Sequence, residues 1–186
     1  MIVYTADFGN YDGAWRGARE RYNENNDPLH TEGLTNKMRG KMYKMTAMGG
    51  ERLWIDSSIE ILDMNGLRRL ASWERDITLF RHPARKTVEE EAACVRTLEL
   101  DTEENIDKAL EEYGDSKAGG KLYKGAIFFY KDTAEPFLNI WRELVFRTSG
   151  RDQLTMPLAL ERSGCSFLVL DLNVWDNPYF VMHPHK

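Results

Sequence analysis

The sequence predicts an α/β sandwich with a mostly parallel central sheet. Three observations lead there: short apolar, β-branched runs recur along the chain, amphipathic helical segments separate them, and turn-forming clusters follow several strand ends. In sheets of this kind, ligands gather at the C-terminal ends of the strands. The residues at those ends therefore carry the functional reading.

Val3 to Phe8 reads as a buried first strand, stopped by Gly9, Asn10, Tyr11, Asp12 and Gly13. Residues 23–36 are polar, rich in Asn, Asp, Gly and Pro, and without periodicity, which predicts a loop. Residues 36–48 repeat methionine at Met38, Met42 and Met45 and lysine at Lys37, Lys41 and Lys44. One helix would then carry an apolar stripe beside a cationic one. Leu53 to Ile55 and Ile59 to Leu62 read as strands flanking Asp56, followed by a helix near Gly66 to Glu74 and a strand near Ile77 to Phe80. Thr87 to Leu98 and Glu103 to Tyr113 are helical, the latter with acids in its first turn as the helix dipole prefers. Leu122 to Tyr130 is a strand containing Gly125. Helices follow at residues 134–147 and from Gln153 to Arg162, and Phe167 to Leu172 is the last strand before the tail.

Composition bounds the function classes. With 186 residues the chain has the length of one domain, and no break divides it, so 1–186 is expected to fold as a single unit. Its 42% hydrophobic residues exclude disorder, while no apolar run approaches the roughly 18 to 20 residues of a spanning helix. The N-terminal MIVYTADFG lacks a basic region, so no signal peptide is expected. Cys94 and Cys165 have neither metal nor redox spacing, which points to a reducing, cytoplasmic setting. A formal charge of −5 argues against broad nucleic-acid binding. Glycine-rich phosphate loops, His-Glu-x-x-His and Gly-x-Ser-x-Gly are all absent.

The chemistry then rests on a few positions. Asp56, ending an apolar strand before Ser57 and Ser58, is either a turn cap or a metal ligand. In the second reading a divalent cation at Asp56 neutralises a diphosphate leaving group. His183 and His185 offer imidazoles to such an ion and Lys186 a cation to a phosphate, unless the tail is simply frayed. Asp152 is the N-cap of the following helix or, with Gln153, lines the cleft. The stripe Lys37, Lys41, Lys44 is a solvated face or a diphosphate contact. His82 ends another strand, and Glu89, Glu90 and Glu91 open a helix.

Val3 to Ala6, then Phe8, Gly9, Tyr11 and Asp12, then Lys44, then Trp54 to Asp56, Arg81 to Pro83, Glu90 to Ala92, and Ser149 with Arg151 to Gln153 follow one order. In that order they resemble a glycosyltransferase-like domain family, first described as a domain of unknown function. Its members occur in plant mucilage and turgor proteins and in bacteria and phages. The resemblance spans nearly the whole chain, and the family is similar in turn to glycogenin-like transferases of GT-A fold. It implies a Rossmann-like α/β/α sandwich and transfer of a sugar from a nucleotide-sugar, a UDP-sugar by the same likeness, with manganese or another divalent ion such as magnesium. It further implies that Tyr4, Thr5, Ala6, Tyr11 and Asp12 hold the nucleotide, that Asp56 with His183 or His185 holds the metal, and that Asp152 and Gln153 face the transferred sugar. Lys44 would meet the diphosphate. The second acid of an Asp-x-Asp motif is replaced by Ser58, and Thr87 and Glu89 depart from the family's usual cysteine and tyrosine. The acceptor is a glycan, a small molecule or a modified DNA base, and a second subunit could complete its site in a homo-oligomer. A non-catalytic nucleotide- or glycan-binding domain of the same fold is the competing expectation.

Overall fold

In the computed structural model, which describes residues 1–8, 20–71 and 74–184, apolar alternation along three central strands sends side chains to both faces of one sheet. Strands β1 (Ile2–Ala6), β2 (Glu20–Tyr22), β3 (Arg52–Ile55), β5 (Ile77–Arg81), β6 (Tyr123–Tyr130) and β7 (Phe167–Leu170) form it in the order β2-β1-β3-β6-β5-β7; the short β4 (Ile59–Ile61) lies outside it. β1 runs parallel to β2 and β3, β5 runs parallel to β7, and β6 alone is antiparallel to its neighbours. The sheet is therefore mostly parallel, as the alternation of strands and helices predicts.

Along β6, Phe128 and Tyr130 enter one core while Ile127 and Phe129 enter the other; along β3, Trp54 faces the first and Leu53 and Ile55 the second. This period of two explains why the strands read as unbroken apolar runs: both faces are covered. On the first face α1 (Asn36–Lys44), α5 (Glu135–Arg147) and α6 (Met156–Ser163) supply Tyr43, Phe137, Trp141, Leu144 and Met156. On the second, α2 (Met64–Leu70) contributes Leu67, and β4 contributes Ile59. Helices α3 (Val88–Thr97) and α4 (Glu103–Glu111) share a smaller core around Val95, Ile106 and Leu154.

Local chemistry sets the helix starts. Thr35, Asp63, Thr87 and Thr102 each accept a backbone N–H of the first turn of α1, α2, α3 and α4. A proline occupies the first turn of α5 and of α6, where its missing N–H leaves no bond unmade. The helix expected over 36–48 stops at Lys44, where Met45 leaves the helical region at φ −108° and ψ 19°; Gly49 and Gly50, with φ of 79° and 72°, then turn the chain into β3.

Two strands escape the sequence reading. β2 spans three residues, Glu20, Arg21 and Tyr22, too short and too charged to announce itself. The tail holds β8 (Phe180–Met182), which pairs antiparallel with β4, so Phe167 to Leu170 is not the last strand. β4 belongs to that separate ribbon and not to the main sheet. Residues 23–35 do form turns, with one isolated bridge between Asn23 and Asn26, and Asn36 already opens α1; a Tyr43–Asp27 hydrogen bond of 2.6 Å and an Arg39–Asp27 bridge of 3.0 Å tie the loop to α1.

Candidate functional site

The site begins with helical spacing. Lys37, Lys41 and Lys44 lie at i, i+4 and i+7 on α1 and share one face. Its C-terminal part is turned into the protein, toward the C-terminal end of β3: Lys44 is buried and Lys41 half-buried, so the reading of the stripe as a solvated surface is corrected for these two, while Lys37 is exposed. Its charges are answered from two distant segments. Lys44 Nζ lies 3.2 Å from Asp56 Oδ1 and 2.6 Å from Asp152 Oδ2, and Lys41 Nζ lies 2.7 Å from Asp152 Oδ1.

Asp56 reaches this cluster because it stands two residues after Trp54 and keeps to the same side of the chain. Its backbone N–H donates to the Ala126 carbonyl at 2.7 Å, which prolongs the pairing of β3 with β6. The Trp54 indole N–H donates to Asp56 Oδ1 at 2.8 Å, and the Lys44 ammonium lies 5.7 Å from the Trp54 ring and 5.8 Å from the Trp141 ring. Asp152 sits in a short 3-10 turn, Asp152–Leu154, before α6; its carbonyl accepts the Trp141 indole N–H at 2.9 Å. The Lys44 side chain is 3% exposed and that of Asp56 31%, so the cluster is dry on the helix side and open at the strand end.

Gly125 in β6 keeps the floor low. A Cβ there would meet Asp152 Oδ2 at 3.4 Å, Lys44 Nζ at 3.5 Å and Gln153 Cγ at 3.7 Å. Lys37 packs against Gly150 in the same way, at 3.3 Å from a Cβ placed there. Buried donors remain over: Arg151 Nε and Gln153 Nε2 have no hydrogen-bond partner among the described residues. Buried polar groups are nearly always paired, so both are free to donate to an acceptor from outside the chain, water or ligand.

The electrostatics follow from burial and pairing. Burial pushes the Asp152 carboxyl up, but Lys41 and Lys44 outweigh it and hold the group well below the usual carboxylate range. Asp56 is lowered against its own burial by Lys44 and then Lys41. Burial pushes Lys44 down, yet Asp152 and Asp56 prevail and raise it. Lys41 goes the other way: burial dominates over Asp152 and pulls it down to about 8. Burial lowers Lys124, where Asp56 partly opposes it, and lowers Lys37, where Arg151 adds to the effect.

Asp56, Lys44, Asp152 and Gln153 are thus brought together. Tyr4 is not available as expected: its ring is wholly buried under α1, and its hydroxyl accepts that of Tyr130 at 2.9 Å and donates to the Lys44 carbonyl at 3.5 Å. Thr5 is also buried, its Oγ1 without a partner among the described residues, and Ala6 ends β1 at the same edge of the sheet. His183 turns away to Glu60, with its imidazole 2.9 Å from Oε2, while its backbone N–H donates to the Ser58 carbonyl at 2.8 Å. Tyr11, Asp12, His185 and Lys186 lie outside the described residues. His82 is a structural acceptor: Nδ1 takes the Ala84 and Arg85 amides at 3.3 and 2.9 Å. Glu91 pairs with Arg85, and Glu90 accepts the Lys86 amide at 2.6 Å.

A divalent cation does not fit the donors of the described residues, among which His185 is not included. Among the described residues no three His, Cys, Asp or Glu side chains converge on one point. Both Asp152 oxygens carry a lysine ammonium, and the Lys44 ammonium already lies against Asp56. Like charges about 4 Å apart repel by about 4 kcal/mol at an effective dielectric of 20, and a dication doubles that. Sequence reasoning missed Lys124 and named Arg151 in a motif without giving it a role; a lysine beside a glycine inside the apolar run of β6 was the available signal for the first.

No family model matches the chain, and no curated protein sequence does. Among solved structures, it is similar to the crystal structure of a glycosyltransferase involved in the glycosylation of the major capsid of PBCV-1. The TM-score is 0.51 at 12% identity, over 98% of this chain and 94% of that one. At that identity the likeness establishes the fold, a Rossmann-like sheet of glycosyltransferase type. The narrower plant, bacterial and phage family is not reached by these comparisons.

Proposed function

We propose that the chain is a glycosyltransferase moving a sugar from a nucleotide-sugar, a UDP-sugar by the sequence resemblance, to an acceptor hydroxyl. The observation that carries this reading is the Lys44, Asp56 and Asp152 cluster at the strand end of a sheet with that fold, beside two orphaned donors. In such a reaction the bond from the anomeric carbon to the diphosphate oxygen breaks and a bond to the acceptor oxygen forms. The sugar becomes oxocarbenium-like on the way. Catalysis then consists of stabilising the departing diphosphate and positioning the acceptor.

Gln153, with an unengaged buried Nε2, suits a sugar hydroxyl as acceptor. Asp152 suits the same sugar only indirectly, since both of its oxygens hold lysines; its contribution is to keep Lys41 and Lys44 in place. Asp56, partly exposed, meets the ligand at the strand end. Retention of anomeric configuration is the expectation drawn from glycogenin-like enzymes. The acceptor is a glycan, a small molecule or a modified DNA base.

Calorimetry with a panel of nucleotide-sugars, with and without manganese, together with a donor-hydrolysis assay, tests the reading. One donor is expected to bind and to hydrolyse slowly; no binding and no hydrolysis across the panel would sink it. Binding without turnover under any condition favours the competing domain that binds and does not catalyse, a reading supported by the lone strand-end acid.

A further inference from the structure

We propose that the diphosphate of the donor is held by a cluster of protein cations, with the Lys41 and Lys44 ammoniums in place of a divalent metal. The proposal rests on the glycosyltransferase reading above and specifies how its site meets the leaving group.

The arrangement of charge carries it. Lys44 occupies the gap between the strand-end acid and Asp152, at 3.2 Å and 2.6 Å from their carboxylates. This is a cation fixed between two carboxylates at a strand end, and it is a covalent part of the chain. Lys41 joins it on Asp152 at 2.7 Å, Lys37 packs on Gly150 with Arg151 in electrostatic range, and Lys124 senses Asp56, Lys44 and Asp152. Against Lys37, Lys41, Lys44, Lys124 and Arg151 stand Asp56, Asp152, Asp101, which acts on Lys37, and Glu91, which acts on Lys124 and is itself paired with Arg85. Five formal cations face four carboxylates in a chain whose own charge is −5. A surplus of positive charge concentrated at one sheet end is the complement of a diphosphate diester, which is a dianion.

Satisfaction of the buried groups points the same way. Among the described residues Lys124 makes no salt bridge, and Arg151 Nε and Gln153 Nε2 donate to nothing, so several donors await acceptor oxygens. Gly125 leaves the space above Lys44 and Asp152 unfilled by any side chain of its own. As the glycosidic bond breaks, the electron pair passes to the diphosphate oxygen. Fixed ammoniums stabilise that added charge without having to be recruited from solution.

Calorimetric titration of UDP, with GDP as a second probe, into the full chain in EDTA and then in manganese tests this. The expected result is binding in EDTA that manganese strengthens by less than about threefold, and that weakens with added salt. Lys41→Gln and Lys124→Gln, each checked for an unchanged thermal transition, are expected to weaken it by about tenfold or more, the worth of one charge-assisted bond. Binding of either nucleotide only when manganese or magnesium is present overturns the lysine proposal while leaving the transferase reading intact. Failure of UDP, GDP and every nucleotide-sugar to bind under both conditions overturns the transferase reading, and this proposal with it.

Discussion

The Lys44 ammonium lies 2.6 Å from Asp152 Oδ2, inside the protein and 108 positions away in the chain, and this contact joins α1 to the turn before α6. Removing one partner of such a buried pair strands the other charge. Lys44→Met is expected to lower stability by about 3 kcal/mol, moderated because Asp152 retains Lys41. Urea denaturation followed by tryptophan fluorescence checks it, and a loss below about 1 kcal/mol would show that the pair is not buried as described.

Lys41 is the member of the cluster that titrates near neutrality. Burial, offset in part by Asp152 and reinforced by Lys44, brings it to about 8. A diphosphate favours its protonated form, so affinity for UDP should be full below that value and fall as pH rises through it. Calorimetry between pH 6.5 and 9.5 reads the effect, and Lys41→Arg, which keeps its charge throughout, should flatten the profile.

His82 makes an acid-sensitive contribution to stability. Burial first, then Arg85 and Lys124, lowers it from 6.5 to about 4 in the folded chain. The unfolded chain therefore takes up the proton first on acidification. The sign is that stability is complete above pH 6.5 and declines toward pH 4, by up to about 3 kcal/mol. His82→Asn retains an acceptor for the Ala84 and Arg85 amides and should remove the slope between pH 5 and 6.5 in denaturant titrations.

Gly125 separates folding from binding. The first added carbon meets its neighbours at 3.4 Å or more, an ordinary contact, so Gly125→Ala should shift stability by less than about 1 kcal/mol. Gly125→Val carries two further methyl groups into the space beside Lys44, Asp152 and Gln153. Nucleotide binding by that variant should weaken by about tenfold or more with the fold retained, as circular dichroism would verify. Equal binding by both variants would place the ligand elsewhere.

Much of this was legible because it is local. The spacing of Lys37, Lys41 and Lys44 put them on one helix face, and Asp56 after Trp54 and Ile55 put a carboxylate at a strand end. Less legible were contacts made across the chain. Nothing near Tyr4 in sequence says that Tyr130 will cover it, and nothing near His183 says that Glu60 will take its imidazole. β8 was hidden because Phe180, Val181 and Met182 are too few to signal a strand until β4 supplies the partner.

The sequence by itself determined the order of six strands and six helices, the strand-end acid and the set of side chains that share each face, since these depend on periods of 2 and 3.6 residues. Only the tertiary structure decided which face looks inward. Burying the methionine stripe alone would have left Lys41 and Lys44 in water, where Lys37 stays. What draws these two in is Asp152, delivered from beyond α5, together with Asp56, because a buried ammonium is stable only where carboxylates meet it.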